Sequence, residues 1–187
     1  MLRKRFGGLR LAFKTAPEHE RVWLRGAEGE EEVARRLAKH LRDAAVLLHD
    51  RRMPRSRANI DHIAVAASGV WVIDAKRYRG KAAVSRPLFG AATLTIAGRN
   101  KSKLADGLAR QVDAVAGVMS ELGAALPVHG AFCFVDTELP VIGTLTFRGY
   151  PLLNPRRLAG RIKKRGHAEP ELLHAVAAQL SSRFPPA

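Results

Sequence analysis

The stretch Gly69-Val-Trp-Val-Ile-Asp-Ala-Lys76 contains the apolar run Val70–Ile73, which is typical of a buried β-strand at the centre of a fold. A second run of the same character, Ile60–Ala66, precedes it, and only a short turn containing Ser68 and Gly69 separates the two. Two β-branched runs joined in this way predict an antiparallel hairpin. Asp74 and Lys76 end the second run, at positions where burial is expected.

Helical and extended patterns alternate on both sides of this hairpin. We predict helices over residues 26–42, 103–122, 155–164 and 171–183, and short strands over 46–48, 82–84, 93–96, 128–135 and 144–147. This order predicts a mixed α/β fold in which helices flank a central sheet. The 187 residues include one cysteine, Cys133, which excludes a disulfide scaffold, and no apolar run long enough to span a membrane.

Charged side chains converge at one end of the predicted hairpin. Because side chains alternate between the two faces of a strand, Asp74 and Lys76 project from the same side. Asp61 lies on the partner strand, so two carboxylates and an ammonium meet near the strand ends. A structural salt bridge is the alternative interpretation. His62 points to the opposite face, where we expect a packed histidine.

Two further polar residues fall on apolar faces of predicted helices. Glu30 lies in the middle of the apolar stripe of the first helix, where a carboxylate needs a cation, a metal or a proton. Its neighbours Glu28, Glu31 and Glu32 fit the preference of acids for the first turn of a helix. Gln111 lies on the apolar stripe of the second helix, and it is either a site residue or a structural glutamine with satisfied partners.

The residue types of this group indicate a site for a divalent cation. Two aspartates a few ångströms apart repel each other, and Mg²⁺ relieves the repulsion while it keeps several waters. Such an ion polarises a phosphoryl oxygen and lowers the pKa of a bound water. A neighbouring lysine orients or deprotonates the attacking water, or stabilises the charge that develops. On a basic surface, this combination indicates metal-assisted hydrolysis of a phosphodiester.

The charge of the chain indicates a polyanionic partner, with nucleic acid ahead of an anionic membrane. The formal net charge is +15, and the basic residues are segregated. Residues 76–110 hold nine basic side chains against one acid, whereas a uniformly arginine-rich composition, the alternative explanation, would spread them evenly. We predict that the following residues contact phosphates: Arg51, Arg52, Arg55, Arg57, Arg77, Arg79, Lys81, Lys101 and Lys103.

Several short blocks occur together in one order: Gly26-Ala-Glu-Gly-Glu30, Asn59-Ile-Asp-His-Ile-Ala-Val65, Gly69–Lys76, then Gly80 and Gln111. In these blocks the chain resembles the nuclease-related domain (NERD) family over about residues 26–120. That family looks like a branch of the PD-(D/E)XK nuclease superfamily. The resemblance implies a restriction-endonuclease-like fold with an αβββαβ core.

The resemblance also implies roles for individual residues. Asp61 and Asp74 would bind Mg²⁺, with Mn²⁺ as a substitute, and the carbonyl of Ala75 would be a further ligand. Lys76 would be the lysine of the signature, and Glu30, Asp61, Asp74, Lys76 and Gln111 together would form the catalytic set.

The leading hypothesis is therefore a metal-dependent nuclease acting on DNA. A nucleic-acid-binding module of the same fold that cleaves little is the main alternative, and a membrane-surface protein is the third. We predict a basic N-terminal arm over residues 1–25, a nuclease core over 26–135 and a basic helical extension over 136–187 packed on that core. We expect a cytoplasmic protein without integral membrane association, and a homodimer stays open.

Overall fold

The computed structural model describes residues 18–166 and 168–187, in which helices cover both faces of a mixed sheet. The helices are α1 (Glu18–Leu41), α2 (Leu104–Glu121), α3 (Pro155–Ile162) and α4 (Pro170–Arg183). The strands are β1 (Ala45–Arg52), β2 (Asn59–Ala66), β3 (Gly69–Ser85), β4 (Thr93–Ile96), β5 (Arg99–Asn100), β6 (Val128–Glu138), β7 (Thr146–Phe147) and β8 (Tyr150–Leu153).

The sheet combines antiparallel and parallel strands in the order β1-β2-β3-β6-β8-β7. Strands β1, β2 and β3 form an antiparallel meander, in which the predicted hairpin pairs Ala66 with Gly69. Strands β6 and β8 then continue the sheet in parallel with β3. The outer end of β3 pairs with β4, which pairs in turn with β5. The predicted mixed α/β fold with a central sheet is confirmed.

The alternation of side chains along β3 divides the core into two layers. Val70 and Val72 face α2 and α4, and they pack in one cluster with the buried Phe132 and Phe134 of β6. The side chains between them, Trp71 and Ile73, face α1 and α3 and belong to a second buried cluster. The other elements contribute to this cluster Val33, Leu37 and Leu41 of α1, Cys133 of β6, and Leu158 and Ile162 of α3. Cys133 is a buried thiol, as its apolar strand predicts.

Several elements differ from the sequence prediction. Helix α1 begins at Glu18, so it includes residues that we assigned to the basic arm, and residues 1–17 lie outside the described part. Strand β3 runs on to Ser85 and absorbs the separate strand predicted over 82–84. Strand β8, which we did not predict, pairs beside β6. The division into an arm, a core and an extension stays a prediction.

The early start of α1 changes the interpretation of its acids. Glu28, Glu31 and Glu32 lie in the middle of the helix, so a preference for the first turn does not explain them and that expectation was wrong. Glu32 instead accepts hydrogen bonds from Arg35 and Arg36, three and four residues later.

Among the described helices, none is long and apolar enough to cross a membrane.

We predict that Phe132→Ala lowers the free energy of unfolding by about 3–5 kcal/mol, because it opens a cavity at a fully buried position on a central strand. Phe89→Ala is the matched control: that ring is 93% exposed, so its loss should change stability by about 0.5 kcal/mol or less. Urea unfolding followed by circular dichroism measures both. Equal effects of the two substitutions would contradict this description of the core.

Candidate active site

The candidate site lies where β2 and β3 separate. The ladder between these strands runs from Ala66 and Gly69 to His62 and Ile73. Beyond that pair β2 stays with β1, whereas β3 stays with β6. The next residues in register are Asp61 and Asp74, so the two acids predicted from the sequence lie at the opening of a fork between two strands.

At this fork the side chain of Asp61 accepts a hydrogen bond from the backbone of β3. Its Oδ2 accepts from the amide of Ala75 at 2.8 Å. An amide that lost its strand partner at a buried position would be costly, and the carboxylate satisfies it. This contact fixes Asp61 against the strand that carries the other acid and the lysine.

The ammonium of Lys76 lies among three oxygens. Its Nζ donates to Asp74 Oδ1 at 2.9 Å, to the carbonyl of Ala75 at 2.9 Å and to Asp61 Oδ2 at 3.3 Å. The predicted convergence of Asp61, Asp74 and Lys76 is therefore present in the structure. These three oxygens belong to the residues that the resemblance assigns to a metal.

Burial and charge shift the pKa values of this group. Burial raises the pKa of Asp74 to about 6, which the charge of Lys76 opposes and that of Asp61 reinforces. Burial disfavours the ammonium of Lys76, yet the carboxylates of Asp74 and Asp61 together raise its pKa above the ordinary value. Lys76 therefore stays charged at neutral pH. The alternative in which it deprotonates a water does not fit this environment.

Glu30 reaches the fork from α1. Burial, followed by the charge of Asp61, raises the pKa of Glu30 to about 7. The close approach of the helix depends on Gly29, because a Cβ atom at that position would lie 2.7 Å from Cβ of Arg77 on β3. The glycine of the Gly26–Glu30 block is thus a contact point between helix and strand, a role that our sequence reasoning missed. Its signal was a glycine inside a helical pattern.

Gln111 connects α2 to the end of β2. It is buried, and its Nε2 donates to the carbonyl of Asn59 at 2.9 Å. Within the described residues, Gln111 Oε1 and Asp74 Oδ2 are buried without a hydrogen-bond partner. Asn59 lies two residues before Asp61, so Gln111 holds the strand that positions the first acid. The structure thus places Gln111 between α2 and the backbone of β2, close to Asp61 in the chain.

His62 is packed, as predicted. It is buried on the opposite side of β2 from Asp61, and its Nδ1 lies 2.9 Å from Nδ1 of His49. Burial, with a contribution from His49, lowers the pKa of His62 to about 3, so this ring stays neutral. One ring nitrogen of the pair donates to the other, which joins β1 to β2 behind the fork.

Arg77 differs from the other residues predicted to contact phosphates. Its guanidinium donates to Asp136 at 2.7 Å and to Glu28 at 2.9 Å, so two acids already neutralise it. This pairing joins α1, β3 and β6 next to the fork. The structure therefore favours a positioning role for Arg77 over contact with a phosphate.

A basic cleft of about 560 Å³ adjoins the fork. Arg79, Arg99 and Lys101 line it, together with Arg77 and its two acidic partners Glu28 and Asp136, so basic residues outnumber acids four to two. The Lys101 ammonium lies 4.8 Å from the ring centroid of Tyr78. Arg99 was part of the basic stretch in the sequence, but we had not singled it out. Of the other predicted phosphate contacts on this side of the chain, Lys81 and Lys103 are exposed.

The second predicted basic group lies at the end of β1. Arg52 is exposed at the last position of β1, and Arg55 and Arg57 are exposed on the loop before β2. Arg51 is partly buried instead, and its Nη1 donates to Ser181 Oγ of α4 at 3.3 Å. The structure does not bring this loop into the cleft of Arg79 and Lys101, so the predicted phosphate contacts form two separate groups.

We predict that Glu30→Gln stabilises the protein relative to wild type more at pH 7 than at pH 4.5. The ordinary pKa of this carboxyl is 4.5, and in the folded protein it is about 7. Between these values the folded state binds more protons than the unfolded state, so wild-type stability falls as pH rises. Urea unfolding in metal-free buffer across this range measures the difference.

The matched control for Glu30→Gln is Glu31→Gln, which changes an exposed acid one position along the same helix. Its stability relative to wild type should vary little across the same pH range. If both variants follow the same pH dependence, then Glu30 is not the group that titrates.

The sequence model of the family described as "Nuclease-related domain" matches residues 25–135. That segment covers more than half of the chain, and it includes the blocks that carry Glu30, Asp61, Asp74, Lys76 and Gln111. Comparison with curated proteins and with solved structures gives no match. On the strength of the family match and the fold, the chain belongs to the nuclease-related domain (NERD) family.

Proposed function

We propose that this protein is a Mg²⁺-dependent nuclease that hydrolyses phosphodiester bonds of DNA. The observation that carries the proposal is the set of oxygens from Asp61, Asp74 and Ala75 gathered around one ammonium at the fork. Membership of the nuclease-related family supports the reaction class. The basic cleft beside the fork supports a polyanionic substrate.

The donor atoms at the fork fit a hard divalent cation. No group of three His, Cys, Asp or Glu side chains in the described segments forms a ready-made metal site. Mg²⁺ does not need one, because it commonly binds through one or two carboxylates and keeps its waters. Lys76 already shows that these oxygens accept a positive charge, and Asp74 Oδ2 has no partner among the described residues.

Asp61, Asp74 and the carbonyl of Ala75 would hold the ion, and Mn²⁺ suits the same oxygen ligands. When bound, the metal would polarise a phosphoryl oxygen and lower the pKa of a water. Both effects favour attack of water on phosphorus.

Lys76 would supply a fixed positive charge. Because the neighbouring carboxylates keep it protonated, it can donate hydrogen bonds to phosphoryl oxygens as negative charge develops on them. It would not remove a proton from water. Arg77, held by Glu28 and Asp136, would keep the strand after Lys76 in place against α1.

Glu30 has the properties of a proton acceptor. Its pKa of about 7 lies near the pH at which a general base works best, since both protonation states are then populated. We assign Glu30 to receive the proton of the attacking water. Gln111 would act as a positioning residue, because it holds Asn59 and thereby the strand of Asp61.

A binding module of the same fold is the second candidate function. It is favoured by one observation, the same basic cleft of Arg79, Arg99 and Lys101, which would hold DNA whether or not the fork reacts. The two candidates differ in what Lys76 does. In a nuclease Lys76→Ala removes turnover, whereas in a binding module it removes one phosphate contact.

We predict that the protein cleaves labelled DNA with Mg²⁺ or Mn²⁺ and not with EDTA. Asp74→Asn and Lys76→Ala should each lower the cleavage rate by roughly 100-fold or more while DNA binding is largely retained. Single-stranded, duplex and branched DNA, with matching RNA, would be compared on denaturing gels. Binding would be measured by fluorescence anisotropy.

Asp113→Asn and Lys163→Ala are matched controls, because they change the same residue types at exposed positions outside the fork. Both should cleave at close to the wild-type rate. If wild type binds DNA but cuts no substrate with either metal, the nuclease proposal is wrong and the binding module replaces it.

We predict that Arg79→Ala and Lys101→Ala each lower the slope of log affinity against log salt by about 1, because each removes one phosphate contact. Arg77→Ala should change the slope less, since Glu28 and Asp136 already neutralise that guanidinium. DNA binding measured between 50 and 200 mM salt, in EDTA, gives the slopes. A slope change for Arg77 that exceeds both others would contradict this assignment of the cleft.

A further inference from the structure

The loop between β3 and β4 exposes two adjacent apolar side chains. Leu88 is 98% exposed and Phe89 is 93% exposed. The hydrophobic effect makes this an unfavourable arrangement for two large side chains in free solution. Two such residues at the tip of a hairpin are available to a partner, and their surroundings decide which partner fits.

The hairpin below this tip is firmly held. Strands β3 and β4 pair from Ala82 and Ile96 to Ser85 and Thr93, and the inward side chain of Leu94 is fully buried. Arg86, at the base of the tip, donates to the carbonyl of Thr146 at 2.6 Å. The tip is thus presented on a supported base.

The charge around the tip indicates what that partner is. From Ala75 to Ala105 the chain has eight basic residues and no acid. Along the outer half of β3 the exposed positions alternate, so Arg79 and Lys81 share one outward face on the part of the strand between Lys76 and the tip. A polyanion that follows this face would bring its own surface against Leu88 and Phe89.

We propose that Leu88 and Phe89 form an apolar wedge that enters between base steps of DNA held on the basic face of β3. Apolar side chains inserted in this way unstack a base step, and phosphate contacts on either side hold the distorted DNA. The inference rests on the proposed DNA substrate. It adds that the bound DNA is unstacked at the base step that Leu88 and Phe89 enter.

The length of β3 limits how far the wedge lies from the fork. Phe89 lies thirteen residues after Lys76, which corresponds to at most about 43 Å of extended chain. At a rise of about 3.4 Å per base pair, the wedge reaches at most roughly thirteen base pairs from the reacting phosphate. DNA that is already unpaired or branched within this distance should bind most tightly.

A second exposed apolar pair provides the comparison. Val141 and Ile142, 96% and 91% exposed, lie between β6 and β7, and Arg157 holds their loop through the carbonyl of Pro140. This pair follows Asp136 and Glu138 instead of a basic strand. Exposure is therefore equal at the two loops, while the surrounding charge differs.

The test uses the full chain with 30-base-pair duplexes that carry the fluorescent adenine analogue 2-aminopurine at successive positions. It is done in EDTA, so that cleavage does not contribute. Wild type should brighten the analogue at one or two neighbouring steps. Leu88→Ser with Phe89→Ser should abolish the signal and weaken binding about 5- to 30-fold, with an unchanged salt slope because no charge is removed.

Val141→Ser with Ile142→Ser is the matched control and should behave as wild type. Binding without any brightening by wild type, or equal brightening by the tip variant, would overturn the wedge. So would loss of co-sedimentation with phosphatidylserine vesicles in the tip variant alone, if its DNA binding is unchanged, because the tip would then be a membrane contact.

The 2-aminopurine test of the wedge and the cleavage test of the nuclease can fail independently of each other. If wild type cuts DNA with Mg²⁺ but never brightens the analogue, the wedge is wrong and the nuclease stands. If it brightens the analogue at the tip-dependent steps but never cuts, the wedge stands and the nuclease proposal fails.

Discussion

The ammonium of Lys76 is the interaction on which the centre of this structure depends. Asp61 and Asp74 lie just beyond the point where the ladder between β2 and β3 ends. Two carboxylates so close together would repel each other without a cation between them. Lys76 supplies that cation from the same strand as Asp74, with contacts of 2.9 and 3.3 Å to the two acids. The protein thus carries its own counter-ion, and the acids are placed before any other cation arrives.

The fork also shows how the backbone and the site depend on each other. Where β2 leaves β3, the amide of Ala75 is bonded by the carboxylate of Asp61, and the carbonyl of Asn59 is bonded by the amide of Gln111. Side chains therefore replace the ladder hydrogen bonds that the separating strands give up. The helices contribute from both faces of the sheet, α1 with Glu30 and α2 with Gln111. A substitution at the fork consequently affects strand geometry as well as chemistry.

Local periodicity was sufficient to predict the hairpin, the second helix and the convergence of Asp61, Asp74 and Lys76, because each depends on residues close in sequence. The full length of β3 was not predicted, since its outer half is charged and carries an irregularity between Arg77 and Gly80 that hides the strand pattern. The pairing of Arg77 with Glu28 and Asp136 could not be predicted from the sequence either. Those partners are 49 and 59 residues away, and only the tertiary structure brings them together.

Strand β3 joins the fork and the hairpin tip in one continuous segment, so it acts as a molecular ruler. Its length sets the spacing between the two ends, and its alternation sets which side chains point outward. Adding or removing two residues would alter the spacing and keep Arg79 and Lys81 on the outward face. A change of one residue would turn the whole outer half over. A longer or shorter β3 that keeps these side chains outward therefore has to differ by an even number of residues.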